Sequence, residues 1–360
     1  MRTVFWDYGS NELKMIDQRR LPGALEIVSL RDHLALAEAI RNMTVRGAPA
    51  IGAAAAFGLA LAGCTSTAHT PAALRADLEN AAATLRAARP TAVNLAWAVK
   101  RLLQMLEPLL QEASRLRGAA VDEALDRIRL RVLEEAQRIA DEDVQINRRM
   151  AAHGAGLIED GDTILHHCNT GSLAAVDWGT ALGAIRYAHE QGKHLHVLVD
   201  ETRPRLQGAR LTAWELEQYG MSYEIISDGM AGHFLKTGDV QKVFFGADRI
   251  AANGDVANKI GTYMLALAAF DNSVPVCCVA PTSSVDLAMQ NGDSIPIEER
   301  DPGEVLDIQL HGERVTPLKA AARNPAFDVT PCRLISVIVT ENGIVRPPFD
   351  VNLRKVIHGP

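Results

Sequence analysis

The chain has 360 residues, of which 48% are hydrophobic and 22% charged, and its formal net charge is −7. This length can bury a large core and accommodates two domains. The negative charge and the lack of a Lys/Arg block argue against a nucleic-acid binder, whose affinity would depend on clustered cations. Five cysteines without paired spacing favour a reducing cytoplasm over a disulfide framework.

The N-terminal part is predicted to be mainly helical. Two short strands are expected around Val4 and Leu13, joined by a turn at Gly9–Asn11. Helical patterns follow at 30–43, 51–62, 72–88, 92–113 and 119–150. The uncharged stretch 48–64 is slightly short for a membrane span, so a buried, tightly packed helix is favoured over a membrane helix.

From about Gly161 onward, short apolar runs alternate with helical segments. Strands are predicted at 163–167, 195–199, 223–226, 242–245, 274–279 and 334–339, and helices at 173–191, 206–219, 231–237, 257–269 and 284–289. This alternation indicates a parallel sheet covered on both faces. The chain is therefore predicted to be an α/β protein with a small, mainly helical N-terminal domain, 1–153, and a parallel-sheet domain, 154–360.

Three of the predicted strands end in small polar residues. Cys168–Ala174, Asp200–Pro204 and Gly246–Arg249 each follow an apolar run directly. The carboxyl ends of parallel strands are where α/β folds bind ligands, so these junctions are candidates for an active site. In the first junction, Asn169, Thr170 and Ser172 are expected to cap a helix that begins near Leu173.

Two residues at these junctions carry reactive groups. Cys168 is expected near a helix N-terminus, which favours a thiolate, although a buried and inert thiol is the alternative. Asp248 follows Phe244, Phe245 and other apolar residues, so it is expected to be poorly solvated and to serve as a general acid. A helix or turn cap is the alternative role for Asp248.

Two further segments are predicted to bind an anion or a polar ligand. Asn258 and Lys259 are expected at the head of a helix, where free backbone N–H groups would lie beside Asp248. Arg46 with the backbone of Gly47 and Ala48 is typical of a loop that wraps an anion before a helix. A surface arginine before an ordinary helix explains that loop equally well.

Neither a nucleotide nor a metal is indicated. No G-x-G-x-x-G motif follows a strand, and no G-x-x-x-x-G-K-[ST] motif is present. His194 and His196 share one strand face with Asp200 nearby, but a third ligand is not clear. His166 and His167 are predicted to point to opposite faces of their strand. We therefore expect no metal.

Six segments in series resemble the methylthioribose-1-phosphate isomerases of methionine salvage. The wider family includes ribose-1,5-bisphosphate isomerases and the regulatory subunits of the translation-initiation exchange factor. The matching segments are Arg46–Gly52, Arg89–Leu95, His167–Gly171, Asp200–Arg210, Gly246–Thr262 and Ile295–Arg300. They span nearly the whole chain.

The resemblance implies a function, a fold and a set of site residues. Cys168 would stabilise the transition state or take part in proton transfer, and Asp248 would be the proton donor. The fold would place a helical N-terminal domain before a Rossmann-like domain. The substrate, a sugar phosphate, would be bound by Arg46, Gly47, Ala48, Arg89, Gln207, Asn258 and Lys259.

The same resemblance implies a cytoplasmic homodimer that needs no cofactor and binds neither nucleic acid nor membrane. Two alternatives stay open. The substrate could be a related sugar phosphate such as 5-deoxyribose 1-phosphate. The chain could also be a non-catalytic regulatory protein that binds a sugar phosphate or nucleotide.

Overall fold

The computed structural model describes residues 1–90 and 92–358, so Thr91 of the arginine-bearing segment 89–95 and the last two residues lie outside it. The described residues form two compact units. The first unit comprises Met1–Gln145 together with Ser172–Trp178, and the second comprises Ile146–Gly171 and the chain from Gly179 onward. The first unit is therefore discontinuous in sequence.

The first unit begins with a three-stranded antiparallel sheet. Its strands are β1 (Val4–Asp7), β2 (Glu12–Ile16) and β3 (Ile27–Leu30). The two predicted strands are confirmed, and the third was not predicted. It has only four residues, of which Val28 and Leu30 pack against the core, so the run is too short to show a clear period.

Four helices and most of a fifth, whose last ten residues belong to the second unit, complete the first unit, and all five were predicted. They are α1 (His33–Arg41), α2 (Ala48–Thr65), α3 (Pro71–Ala88), α4 (Val93–Ala113) and α5 (Ala119–Ala155). Helix α2 is the one helix among the described residues with the length and composition of a membrane span, and 78% of it is buried inside the protein. It is the core helix that its Ala and Gly content predicted, because small side chains let α3 and α4 pack closely.

The second unit contains a seven-stranded sheet with helices on it. Its strands, in spatial order, are β16 (Gly343–Val345), β15 (Val337–Thr340), β10 (Val276–Val279), β7 (Lys242–Phe245), β4 (Thr163–His166), β5 (His196–Asp200) and β6 (Ser222–Ile226). All neighbours are parallel except β15 and β16. The six predicted strands are all present, so the prediction of an α/β chain with a parallel sheet is confirmed.

The helices of this unit are α6 (Ala181–Glu190), α7 (Ala213–Gln218), α8 (Ala231–Thr237), α9 (Thr262–Asp271), α10 (Gly303–Leu306) and α11 (Phe349–His358). The strand order reverses beside β4. The chain first adds β5 and β6 on one side of β4 and then returns to place β7 on its other side. A crevice forms at such a reversal, since the loops on the two sides leave in opposite directions.

A second sheet of four short strands was not predicted. It has the order β11 (Val285–Asp286), β8 (Arg249–Ala251), β9 (Val256–Lys259) and β14 (Phe327–Thr330), and a separate hairpin joins β12 (Gln309–Leu310) to β13 (Glu313–Arg314). The predicted helix 284–289 is wrong, because this segment forms β11 and a turn. The helix predicted at 257–269 starts only at Thr262, because residues 256–259 pair with β14 instead.

Candidate active site

Cys168 lies two residues beyond β4, at the point where the strand order reverses. Its side chain is buried and its φ angle is +67°. The hydroxyl of Thr202 accepts a hydrogen bond from its amide, and the hydroxyl of Thr212 donates one to its carbonyl. The predicted position of Cys168 at a strand end is confirmed.

The helix expected to begin near Leu173 is absent. Ser172–Ala174 form a single 3₁₀ turn, and α6 begins only at Ala181. Asn169 is not a helix cap, since its amide donates to the carboxylate of Glu215 at 2.8 Å. Thr170 does bond the first turn of α6, because its hydroxyl accepts the N–H of Leu182 at 3.0 Å.

Asp248 follows β7, the neighbour of β4. The loops after these two strands touch, since a Cβ at Gly246 would lie 2.9 Å from the Thr170 methyl group. Asp248 is nevertheless exposed, so the predicted poor solvation of its carboxyl group is wrong for the free protein. After Asp248 the chain leaves the large sheet and enters β8. The N–H of Asp248 donates to the carbonyl of Ala257.

Arg249, the residue after Asp248, forms an ion pair with a different carboxylate. Its guanidinium pairs with Asp286 at 3.1 Å.

Asn258 and Lys259 lie at the end of β9 and not at a helix start. Both are buried. The Lys259 ammonium donates to the carbonyl of Ala326 at 2.6 Å and lies 4.7 Å from the centre of the Phe327 ring. The prediction of free backbone N–H groups here is also wrong, because the carboxylate of Asp328 accepts the N–H groups of both Gly261 and Tyr263.

A buried histidine joins three of these strand ends. His167 Nδ1 lies 2.8 Å from an oxygen of Asp200, and its Nε2 lies 3.0 Å from the carbonyl oxygen of Ile260. A carbonyl oxygen only accepts, so Nε2 carries a proton. Burial opposes a charge on the ring, but the hydrogen bond and the charge of Asp200 outweigh it and raise the pKa of His167.

One group of three acid or histidine side chains among the described residues has the spacing of a metal site. The ligand atoms of His167, Asp200 and Asp228 lie within 4.8 Å of one another. Asp228 accepts the N–H groups of Thr202 and Arg203, both at 2.7 Å. His167 and Asp200 thus bond one another and Asp228 bonds the backbone, whereas the second oxygen of Asp200, Oδ1, is buried without a hydrogen-bond partner among the described residues.

The histidine pair that could have formed a metal site does not share a partner. His194 bonds Asp160, whereas His196 bonds Ser222 and Glu224.

Gln207 precedes a π-helical turn, Gly208–Thr212, next to the end of β5. Its side chain is buried, and its Oε1 has no hydrogen-bond partner among the described residues. Buried polar atoms are nearly always bonded. This atom is therefore a natural acceptor for a ligand.

Four predicted binding residues belong to the first unit. Arg46 and Gly47 precede α2, and Ala48 is its first residue, so the predicted loop before a helix is confirmed. Gly47 has a φ of +94°, and a Cβ on it would lie 2.2 Å from the carbonyl oxygen of Ala174. Only glycine fits there.

Arg89 follows α3 and is half-buried. The N-terminal ends of α2 and α4 approach closely, since a Cβ at Gly52 would lie 3.2 Å from the carbonyl oxygen of Asn94. The segments that carry Arg46 and Arg89 thus lie at the same end of this unit.

The hydrogen-bond network around Cys168 includes residues to which the sequence patterns assigned no part in binding or catalysis. They are His167, Asp200, Thr202, Thr212, Glu215 and Asp328. One available signal was Glu215, which lies between the apolar residues Trp214 and Leu216 and is fully buried in the structure. A polar residue on the buried face of a helix indicates a specific partner.

Comparison with known proteins agrees with this geometry. The model of the Initiation factor 2 subunit family matches residues 44–347. The methylthioribose-1-phosphate isomerase of Acetivibrio thermocellus is 47% identical, over 97% of this chain and 98% of the relative.

Two solved structures are also similar. The 5-methylthioribose 1-phosphate isomerase of Pyrococcus horikoshii has a TM-score of 0.89 and 45% identity, over 99% of this chain and 96% of that one. The translation initiation factor eIF-2B, subunit delta, from A. fulgidus has a TM-score of 0.85 and 42% identity, over the full length of both chains. By sequence and by structure, the chain belongs to the Initiation factor 2 subunit family and, within its relatives, to the methylthioribose-1-phosphate isomerases.

Proposed function

We propose that this protein is the isomerase that interconverts 5-methylthio-D-ribose 1-phosphate and 5-methylthio-D-ribulose 1-phosphate in methionine salvage. The observation that carries the proposal is the pair of loops after β4 and β7. They bear Cys168 and Asp248, and they touch through Thr170 and Gly246. A thiol and a carboxyl group on adjacent strand ends supply the two groups that the reaction needs.

The chemistry assigns a task to each group. Phosphate on the anomeric oxygen blocks simple ring opening, so an acid must protonate the ring oxygen as its bond to C1 breaks. Asp248 is the proposed acid. Hydrogen must then pass from C2 to C1. The side chain of Cys168 could move this hydrogen as a proton through a phosphoenolate, or the hydrogen could migrate as hydride while the site stabilises charge.

The remaining predicted residues bind the substrate in this proposal. Arg46, with the N–H groups of Gly47 and Ala48, and Arg89 hold the phosphate. Gln207, Asn258 and Lys259 hold the sugar. The unpartnered Oε1 of Gln207 supports this assignment, because a sugar hydroxyl could donate to it.

The proposed organisation follows the family resemblance. The resemblance implies an N-terminal domain, 1–153, and a Rossmann-like domain, 154–360, whereas the first compact unit comprises residues 1–145 together with 172–178. The protein is cytoplasmic and needs no cofactor. It is a homodimer, and the apolar side chains exposed on α9 support this: Met264, Leu267 and Phe270 recur on one helix face.

A non-catalytic regulatory role is the second candidate, because the translation factor subunit of A. fulgidus is 42% identical over its full length. Cys168 and Asp248 favour the enzyme, since a regulatory subunit needs neither. Activity on 5-deoxyribose 1-phosphate is a closer variant of the same proposal.

A turnover assay decides between these functions. Purified protein should convert methylthioribose 1-phosphate to the ketose, and phosphorus NMR can monitor this conversion. Cys168→Ser should fold and bind the sugar phosphate but lose most turnover, because a hydroxyl is far less acidic than a thiol. Near-normal turnover in this variant would remove Cys168 from the mechanism.

The same assay tests the requirement for a metal. Activity should survive exhaustive chelation. Loss of activity that a divalent metal restores would instead place an ion at His167, Asp200 and Asp228.

A further inference from the structure

The backbone of Cys168 is held in a conformation that residues with a Cβ rarely adopt. Its φ of +67° lies in the left-handed region, which a residue with a Cβ adopts only under constraint. Such residues persist when the surrounding structure over-determines them. The groups that hold the two peptide units of Cys168 therefore set the direction of its thiol.

The peptide unit before Cys168 is fixed by Thr202. The Thr202 hydroxyl accepts the N–H of Cys168 at 2.9 Å and donates to the carbonyl of Asp200, the last residue of β5, at 3.0 Å. Thr202 is fully buried, and its own N–H donates to Asp228 at 2.7 Å. One hydroxyl thus ties Cys168 to the end of the neighbouring strand.

The peptide unit after Cys168 is fixed by Thr212. Its hydroxyl donates to the carbonyl of Cys168 at 2.7 Å and accepts from the amide of Asn169 at 3.2 Å. Thr212 ends the π-helical turn that starts at Gly208. A Cβ at Gly208 would lie 1.7 Å from the carbonyl oxygen of Asp200, so this turn packs directly on the end of β5. A π-turn inside a helix is frequent at functional sites.

We infer that Thr202 and Thr212 are positioning residues for Cys168. Their hydroxyls hold the two peptide units on either side of the thiol and so aim it at the hydrogen that moves between C2 and C1. This inference rests on the proposed isomerase function. A displacement of about 1 Å at a reacting group can lower a rate about a hundredfold, so loss of either hydroxyl should act on turnover.

Threonine to valine keeps the shape and removes only the hydroxyl. Thr202→Val and Thr212→Val should each lower kcat at least tenfold and leave KM within about twofold of the wild type. Thr202→Ser and Thr212→Ser should restore most of kcat, because serine retains the hydroxyl.

Thr340→Val is the matched control. The buried Thr340 hydroxyl also accepts a backbone N–H, from Asn342, and donates to a carbonyl, that of Gly343, but it does not bond Cys168. This variant should keep wild-type kcat. Equal loss in Thr340→Val, or wild-type kcat in both test variants, would overturn the inference.

A second readout does not depend on turnover. Alkylation of Cys168 by iodoacetamide, followed by mass spectrometry with Cys332 as the internal reference, should be at least threefold faster in Thr202→Val and Thr212→Val. Release of the backbone makes the buried thiol more accessible. An unchanged rate would overturn the inference even if the wild-type protein failed to isomerise methylthioribose 1-phosphate, an outcome that would count separately against the proposed function.

Discussion

Asp248 is in contact with solvent in the free protein, although its proposed task is that of an acid. The bound sugar phosphate must therefore displace water from its carboxyl group before the protonated form is favoured. Asp248→Asn keeps the shape but removes the transferable proton. We expect kcat to fall by about a hundredfold or more with substrate binding largely retained, as measured by steady-state kinetics and calorimetry.

Asp293→Asn is the control for this prediction, since it removes an equal charge from an exposed residue in the turn Gly292–Ser294. It should keep most of the activity. If Asp248→Asn binds substrate poorly yet turns over normally at saturation, Asp248 is a binding residue.

His166 gives the stability of the protein a pH dependence. Burial of its ring, together with the neighbouring charge of His167, lowers the pKa of His166 from 6.5 to about 3. The unfolded chain therefore binds an extra proton between pH 6.5 and about 3, and the free energy of unfolding falls as the pH falls through that range. His167, whose pKa is raised, acts in the opposite sense: its contribution is complete below pH 6.5 and is lost only above it.

His166→Gln tests this assignment. Between pH 6.5 and pH 5 the variant should lose about 2 kcal/mol less unfolding free energy than the wild type, by urea denaturation. His194→Gln, which changes an exposed imidazole, should behave like the wild type. Identical losses in His166→Gln and the wild type would show that another group titrates.

For single residues, the sequence predicted where the candidate site residues lie along the fold better than it predicted their solvent exposure and contacts. Cys168 could be located because it follows a strand with a clear apolar pattern, whereas Gln207 was assigned through the family resemblance. The exposure of Asp248 could not, since it depends on the path of the chain into a second sheet. The hydroxyl contacts of Cys168 come from residues 34 and 44 positions away, a separation that no local pattern encodes.

The start of α9 illustrates how one element depends on another. Gly261 has a φ of +103°, and a Cβ on it would lie 2.9 Å from the ring of His167. Gly238, at the end of α8, also has a positive φ, but no atom lies within 4 Å of the point that a Cβ there would occupy. The two glycines thus share the backbone conformation and differ in their neighbours.

Substitution by alanine separates these two effects. Gly238→Ala should cost about 1 to 2 kcal/mol of unfolding free energy, the cost of a left-handed residue. Gly261→Ala should cost at least about 1 kcal/mol more, because it also displaces His167. Equal costs in urea denaturation would mean that the imidazole moves aside freely.

Elements with long periodic patterns were predictable, and short ones were not. The helices of the first unit and the six strands of the large sheet have continuous apolar faces or runs. Strands β8, β9, β11 and β14 have two to four residues each, too few to show a period. Residues 257–259 were assigned to a helix because they precede one, and pairing with β14 overrode that local preference.

Association into a homodimer is a prediction about the whole molecule. Met264 is 71% exposed and Phe270 is 55% exposed on the same helix, an arrangement that is costly in water. The double variant Met264→Glu, Phe270→Glu should sediment as a monomer while the wild type sediments as a dimer. Leu318→Glu, at an 86% exposed position outside α9, should stay dimeric. A monomeric wild type, or a dimeric double variant, would exclude this surface.

The discontinuity of the first unit has a consequence for the order in which the protein can fold during synthesis. Residues 172–178 contribute to that unit: Thr3 bonds both Ser172 and Val176, and Val176 donates to Asp143. A nascent chain that ends at Gln145 lacks these partners, because residues 172–178 have not yet been synthesised. The first unit can be completed only after β4 and Cys168 have left the ribosome, so the two halves of the protein do not mature strictly one after the other.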